Sequence, residues 1–327
     1  MKRTGTYITA GRSLESAIGH VRLAEDLGYD SVWTSHIASR DSLMLLAAYG
    51  QATSRLRLGT GVLPCLPRHP VALAQQAATL DEITGGRLVL GIGPSHKPVV
   101  EGWYGMTLGK PLAQMREYVT ILRSVLATGS VEFHGEFYSA QFGFLGYSAR
   151  KDLPIYLAAV SPKMLEMAGE MADGVVLWLT SPAYVRDVVV PHVRAGAERA
   201  GRDPATIEIV EAIPSCVSAN AQSTIAAMTG DLISYASLPF YRAMLIRSGF
   251  GDDLGAFDAA LAGGNIGTAM EALRPIASAL AAVGSADEVR ERIEDYRQAG
   301  VSLPCPSPFR AGEGSASPED TLRAAAP

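Results

Sequence analysis

Three of the chain's six histidines each follow a short β-prone run. His36 comes after DSVWTS (30–35), His69 after the run ending LGTGVLP (58–64), and His96 after RLVLGIG (87–93). Histidine is the side chain whose ordinary pKa lies nearest neutrality, so such a cluster is suited to giving or taking a proton. A metal site is the first chemistry to test. It would want carboxylates or a paired histidine motif from the first strand. That strand ends Ile8-Thr9-Ala10-Gly11 and offers no ligand, and Glu211, inside the seventh strand, could face either way. No metal is therefore expected. The second chemistry is a flat organic cofactor lying across the same ends. Glycines at 61 and 93 let a ring approach the backbone closely. Ser161-Pro162 opens a helix directly after a strand, where free N–H groups and the helix dipole favour a phosphate. Two of the five lysines, Lys97 and Lys163, fall just past strand ends. The plainer alternative is that Pro162 only starts a helix and both lysines are solvated. His69, before Pro70, is as well suited to capping a helix as to touching a substrate.

The elements that must position these residues alternate. Strands are expected at 4–10, 30–35, 56–63, 87–93, 154–160, 174–179, 207–217 and 301–304. Helices between them carry apolar residues at helical spacing, as in Leu14, Ala17, Ile18, Val21, Ala24 and Leu27 behind a Ser13 cap. A β-hairpin is expected over 131–140 and mostly helical structure over 222–282. Eight strands interleaved with helices predict an α/β fold, a closed (β/α)8 TIM barrel whose active site lies at the C-terminal strand ends. A dinucleotide-binding sheet fits less well, because Gly91-Ile-Gly93 is followed by Pro94-Ser95-His96 and the third glycine of that fingerprint is missing. One barrel domain over 1–305, with insertions near 94–110, 130–150 and 222–282, accounts for the length. The Pro/Ser/Gly/Ala-rich stretch 306–327 reads as a flexible tail.

GYDSVWTSH (28–36), RLRLGTGVLP (55–64), RHPVALAQQAATLDEITGGRLVLGIGPSH (68–96) and LPIYLAAVSPKMLEMAG with ADGVVL (153–177) resemble the luciferase-like monooxygenase superfamily. Within it they are most similar to coenzyme F420-dependent oxidoreductases of the methylenetetrahydromethanopterin reductase kind. The likeness runs from about residue 4 to 305. It implies F420 at the barrel mouth and a non-prolyl cis peptide at Gly61–Val62 beneath the deazaflavin ring. It also implies cofactor contacts from Ser35, Gly61, Val62, Gly93, Pro94, Ser95, Ala159, Val160, Ser161, Pro162 and Lys163. His36 and His96 are the implied catalytic residues, acting on a small organic substrate. The expected reaction is hydride transfer between the deazaflavin and an activated C=C, C=N or C=O bond, with a histidine as proton donor. Two departures matter. Ser35 stands where Asp or Glu is common, and His96 stands where the sugar-phosphate dehydrogenases carry glutamate, which argues against a carboxylate base and against that reaction. The alternatives are an FMN-dependent monooxygenase using molecular oxygen and a non-catalytic flavin-binding protein.

Composition narrows the partners. The chain has 327 residues, 48% hydrophobic and 19% charged, with a net charge of −5, which speaks against a broad nucleic-acid surface. No apolar run approaches the ~20 residues of a bilayer span. Cys65, Cys216 and Cys305 lack paired or metal-ligand spacing, as expected of reduced thiols in a cytoplasmic protein. A homodimer is the expected assembly. The amphipathic run YASLPFYRAMLIRSGF (235–250) either caps the substrate cavity or buries its apolar face against a second subunit.

Overall fold

The computed structural model describes every residue except Met1, Ala10, Arg12 and Phe144, so the Ala10 end of the first expected strand lies outside the described residues. In chain order the strands are β1 (Gly5–Tyr7), β2 (Ser31–Thr34), β3 (Arg57–Thr60), β4 (Leu63–Pro64), β5 (Leu88–Gly93) and β6 (Val131–His134). They continue with β7 (Ser139–Phe142), β8 (Ile155–Ala158), β9 (Gly174–Trp178), β10 (Glu208–Val217), β11 (Ala282–Gly284) and β12 (Leu303–Pro308). Parallel pairing runs β1-β2-β3-β5-β8-β9-β10, and β12 joins β10 along Val210–Ser215. These eight form the curled parallel sheet of a (β/α)8 architecture. β11 extends the far end of β10, and β4 the far end of β5. β6 and β7 make the separate antiparallel hairpin.

Alternation along the strands sorts side chains between two cores. Val210 and Ala212 join Tyr7, Trp33, Val89, Tyr156, Val176, Leu303 and Cys305 inside the barrel, whereas Ile209 and Ile213 face the helices. The N-terminal floor is plugged by charge. Arg57 bonds Asp30 at 2.9 Å and Glu208 at 3.2 Å, and the Tyr156 hydroxyl donates to Glu208 at 2.6 Å.

The seam between β12 and β1 has a local cause. Phe309 donates its N–H to Ser215 on β10, so the odd-numbered amides of this stretch face β10. The even positions 304, 306 and 308 are prolines, which leaves the edge facing β1 without N–H donors. A side chain bridges instead, Thr6 Oγ1 donating to the Pro306 carbonyl at 2.8 Å.

Two expectations change. The eighth strand runs to Pro308, beyond the expected Pro304. The 306–327 stretch is no flexible tail: Pro318–Ala324 is a helix closed by a Ser317–Asp320 capping box, with Leu322 buried. It is tied to the barrel where Thr321 Oγ1 accepts from Val217 N–H at 3.1 Å and the Tyr29 hydroxyl donates to the Leu322 carbonyl at 2.8 Å. The 222–282 region resolves into helices Ala221–Ser237, Pro239–Arg247, Gly251–Ala262, Ile266–Ala272 and Arg274–Leu280. Among the described residues, no helix is long and apolar enough to cross a membrane.

Candidate cofactor and substrate site at the barrel mouth

At the C-terminal ends of the staves the glycines let neighbouring side chains pack directly onto the backbone. The Gly61–Val62 peptide is cis and non-prolyl, as the family resemblance implied. A Cβ on Gly61 would lie 2.1 Å from the Tyr7 hydroxyl. One on Gly93 would lie 2.9 Å from Ala158 Cβ and 3.2 Å from Val62 Cγ2. Val62, Gly93 and Ala158 therefore meet in one patch that admits no further side chain. Ser95 beside it takes a left-handed conformation, φ 65°, sparsely used by residues other than glycine.

Three buried polar atoms near these ends have no protein partner: Tyr7 Oη on β1, Thr34 Oγ1 on β2 and Trp178 Nε1 on β9. Leaving such a group unpaired costs about 1–3 kcal/mol. Tyr7 and Trp178 share the phase that faces the barrel interior, whereas Thr34 follows Val32 toward the helices. A flat ring with hydrogen-bonding edges, as in a flavin or deazaflavin, would suit the two inward-facing atoms.

His36 is held in a defined state. Its Nδ1 accepts from the Ser42 backbone N–H at 3.2 Å, so the proton of the neutral ring sits on Nε2. Asp41 caps the helix Ser42–Ala52 through Leu43 and Met44 N–H, binds Arg68 at 2.5 Å, and lies 3.8 Å from His36 Nδ1. Burial pushes the His36 pKa down and the Arg68 guanidinium pushes it further, against the opposing pull of Asp41. His36 is therefore mainly neutral at pH 7, able to donate a hydrogen bond from Nε2. His96 is half-buried, its ring 5.6 Å from that of Tyr241, and burial lowers its pKa as well. His69 takes the capping role, accepting from Val71 N–H at 3.3 Å from an exposed position.

The turn after β8 is braced by Tyr184, whose hydroxyl donates to the Val160 carbonyl at 2.7 Å. Ser161 and Pro162 open the helix Pro162–Met171, and the Ser161 side chain makes no capping bond, so the first amides of that helix keep their donors free. Lys163 and Lys97 are both exposed and lie 3.5 Å and 3.9 Å from Glu166 and Glu101 on their own helices. Ser35 and Pro94 are half-buried on the neighbouring loops. Cys65 is buried and its thiol pKa is pushed up, which makes it an inert thiol.

The 235–250 run roofs the mouth. Tyr235 packs edge-on against Trp178 at 6.3 Å, Tyr241 against Tyr235 at 5.0 Å, and Tyr241 reaches His96, while Phe240 and Ile246 stay exposed. The sequence did not single out Tyr7, Asp41, Trp178 or Tyr184. Asp41-Ser42 ahead of LMLL was a readable helix cap; the others sit within apolar runs and carried no signal. Glu211 faces outward, on the same phase as Ile209 and Ile213. It is fully buried, accepts from Thr180 N–H at 3.3 Å and pairs with Thr180 Oγ1, and burial raises its pKa to about 8. It clamps the loop after β9 from behind. Among the described residues, no three His, Cys, Asp or Glu side chains gather as a metal site.

Comparison with known proteins agrees with this architecture. The luciferase-like monooxygenase family profile matches residues 1–303. A 5,10-methylenetetrahydromethanopterin reductase from Methanolobus tindarius is 30% identical over 288 residues, 86% of this chain and 87% of that protein. The coenzyme F420-dependent tetrahydromethanopterin reductase of Methanopyrus kandleri superimposes with a TM-score of 0.82 at 25% identity, covering 98% of this chain and 96% of that one. The oxygenating component of a type II Baeyer–Villiger monooxygenase from Pseudomonas putida, in complex with FMN, shares the fold at a TM-score of 0.67 and 19% identity, over 99% of this chain and 96% of that one. The chain belongs to the luciferase-like monooxygenase family.

Proposed function

We propose that the protein is an F420-dependent oxidoreductase that transfers a hydride between the deazaflavin and an activated C=C, C=N or C=O bond of a small organic substrate. The observation that carries this reading is the mouth itself, where the cis Gly61–Val62 peptide and the unpaired Tyr7 hydroxyl stand at the same strand ends that lead into the loop of the neutral His36. Similarity to the coenzyme F420-dependent reductase of Methanopyrus kandleri supports the choice of cofactor. Val62, Gly93, Pro94 and Ser95 would back the ring. Ala159, Val160 and the Ser161–Pro162 helix start would hold the phosphate, with Lys163 at the rim and Ser35 beside the ring. Bound there, reduced F420 supplies a hydride.

The chain's own part is to orient the substrate, exclude water under the Tyr235–Tyr241 roof, and stabilise developing charge. With its proton on Nε2, His36 donates a hydrogen bond to an oxygen or nitrogen that becomes negative as its carbon is reduced, the role of a positioned donor. His96 adds a second neutral ring from the opposite loop. Both histidines, being neutral, protonate a product only as part of a relay from solvent.

Parallel titration with F420 and with FMN tests the reading. Tight F420 binding with weak FMN binding is expected. Tight FMN binding alone, with oxygen consumed on turnover, would instead establish a flavin monooxygenase.

A further inference from the structure

Beside the mouth, the helix Ala221–Ser237 shares a cavity with residues at the ends of β9, β10 and β12. It turns Met228, Asp231, Leu232 and Tyr235 onto them, spacings of i, i+3, i+4 and i+7 on one face. Under that face lies a cavity of about 90 Å3 whose other walls include Trp178 and Phe309. Three aromatic rings with Leu179, Pro214, Met228 and Leu232 would suit any apolar guest. The exception is Asp231, the charged residue on an otherwise apolar stripe. Its carboxylate makes no hydrogen bond or ion pair among the described residues. Burial raises the pKa of the Tyr235 hydroxyl and the nearby Asp231 charge adds to the rise, so the carboxylate lies close to that cavity wall. Asp231 is itself exposed, so its charge is solvated in the free protein and lines the cavity from its open rim.

We propose that this cavity is a cation subsite, taking an alkylammonium group of the substrate. The aromatic rings present negative π-faces and Asp231 a full negative charge, the combination that holds quaternary and protonated amines. A carboxylate or phosphate on the substrate would meet Asp231 with no counterion and be turned away. Asp231 is then a specificity-determining residue: it selects the substrate's charge without touching the reacting carbon. The inference rests on the proposed function in one respect, that the ligand entering here is the substrate of the neighbouring mouth.

Choline and 3,3-dimethylbutan-1-ol have the same shape and differ in one charge, so their binding to the full chain, followed by ligand-detected NMR, isolates the effect. Choline is expected to bind about five- to tenfold tighter than its neutral isostere, the size of a cation–π contact added to a rim ion pair. Asp231→Asn should lower that preference to the about two- to threefold that the aromatic rings alone supply, while leaving the alcohol's affinity unchanged, and Asp231→Glu should retain it. Equal binding of the two probes, absence of choline binding, or an Asn variant that keeps the full preference would each overturn the subsite. F420 and FMN titrations on the same samples separate the two readings. Loss of both cofactors with the choline preference intact would sink the oxidoreductase and leave the subsite standing.

Discussion

Replacing Glu211 with glutamine should make the protein's stability nearly independent of pH across the range where the native protein weakens. Glu211 is completely buried, with Thr180 as its hydrogen-bond partner and no ion pair among the described residues. Burial raises its pKa from 4.5 to about 8. Below pH 4.5 the carboxyl is protonated in both folded and unfolded chains and its contribution to stability is fully present. Between 4.5 and 8 the unfolded chain gives up the proton while the folded chain keeps it, so stability falls as pH rises. The slope is about 1.4 kcal/mol per pH unit, and across the whole window the loss is on the order of 5 kcal/mol. Glutamine keeps an acceptor for the Thr180 amide and a donor for its hydroxyl but never ionises. Guanidinium denaturation at unit intervals from pH 5 to 9 provides the assay. The difference between E211Q and the native chain should widen through pH 8 and then level off. Taking a difference cancels the titration of every other group, provided the substitution leaves them undisturbed. Parallel curves for the two proteins would refute the reasoning, because they would mean that Glu211 ionises in the folded chain near its ordinary pKa.

Removing the imidazole with His36→Ala should lower turnover by about 100-fold while leaving F420 affinity unchanged; equal turnover would exclude His36 from the chemistry. Arg68→Met should raise the His36 pKa, since it removes a neighbouring cation and frees Asp41 to act on the ring, and an NMR titration of the His36 ring protons checks the direction. Gly61→Ala places a Cβ against the Tyr7 hydroxyl and should destabilise by about 1–3 kcal/mol, part of it recovered when Tyr7→Phe is added, as read from denaturation midpoints. Leu322→Ala should lower stability by about 2–4 kcal/mol, whereas a mobile C-terminal stretch would register no change.

The barrel was legible because its staves are short apolar runs broken by amphipathic helices, and buried parallel strands have that pattern. The last strand was cut short and the segment after it read as tail for one reason. Pro304, Pro306 and Pro308 look like loop residues unless it is known that only one edge of the strand needs donors. That knowledge is tertiary. The same holds for the helix 318–324, whose Ser317 cap was visible but whose apolar face is only two or three residues wide.

Protonation and charge at the site were less legible than position. Three acids show why. Asp41 is bound by Arg68, from a loop 27 residues away, and by the amides of its own helix. Glu211 is in the seventh stave, and its direction follows from strand phase: Glu208 at the floor and Val210 inside the barrel leave 211 pointing outward, where burial keeps it neutral near pH 7. Asp231 is exposed beside the buried stripe of its helix, and no cation pairs with it among the described residues. The residue type is nearly the same in all three cases. What differs is the partner, a guanidinium for the first, a threonine for the second and, on our proposal, a ligand's ammonium for the third. A carboxylate's role follows from what faces it. Of these three, only Asp231 lines a cavity while open to solvent, so the group we propose for it comes from outside the chain.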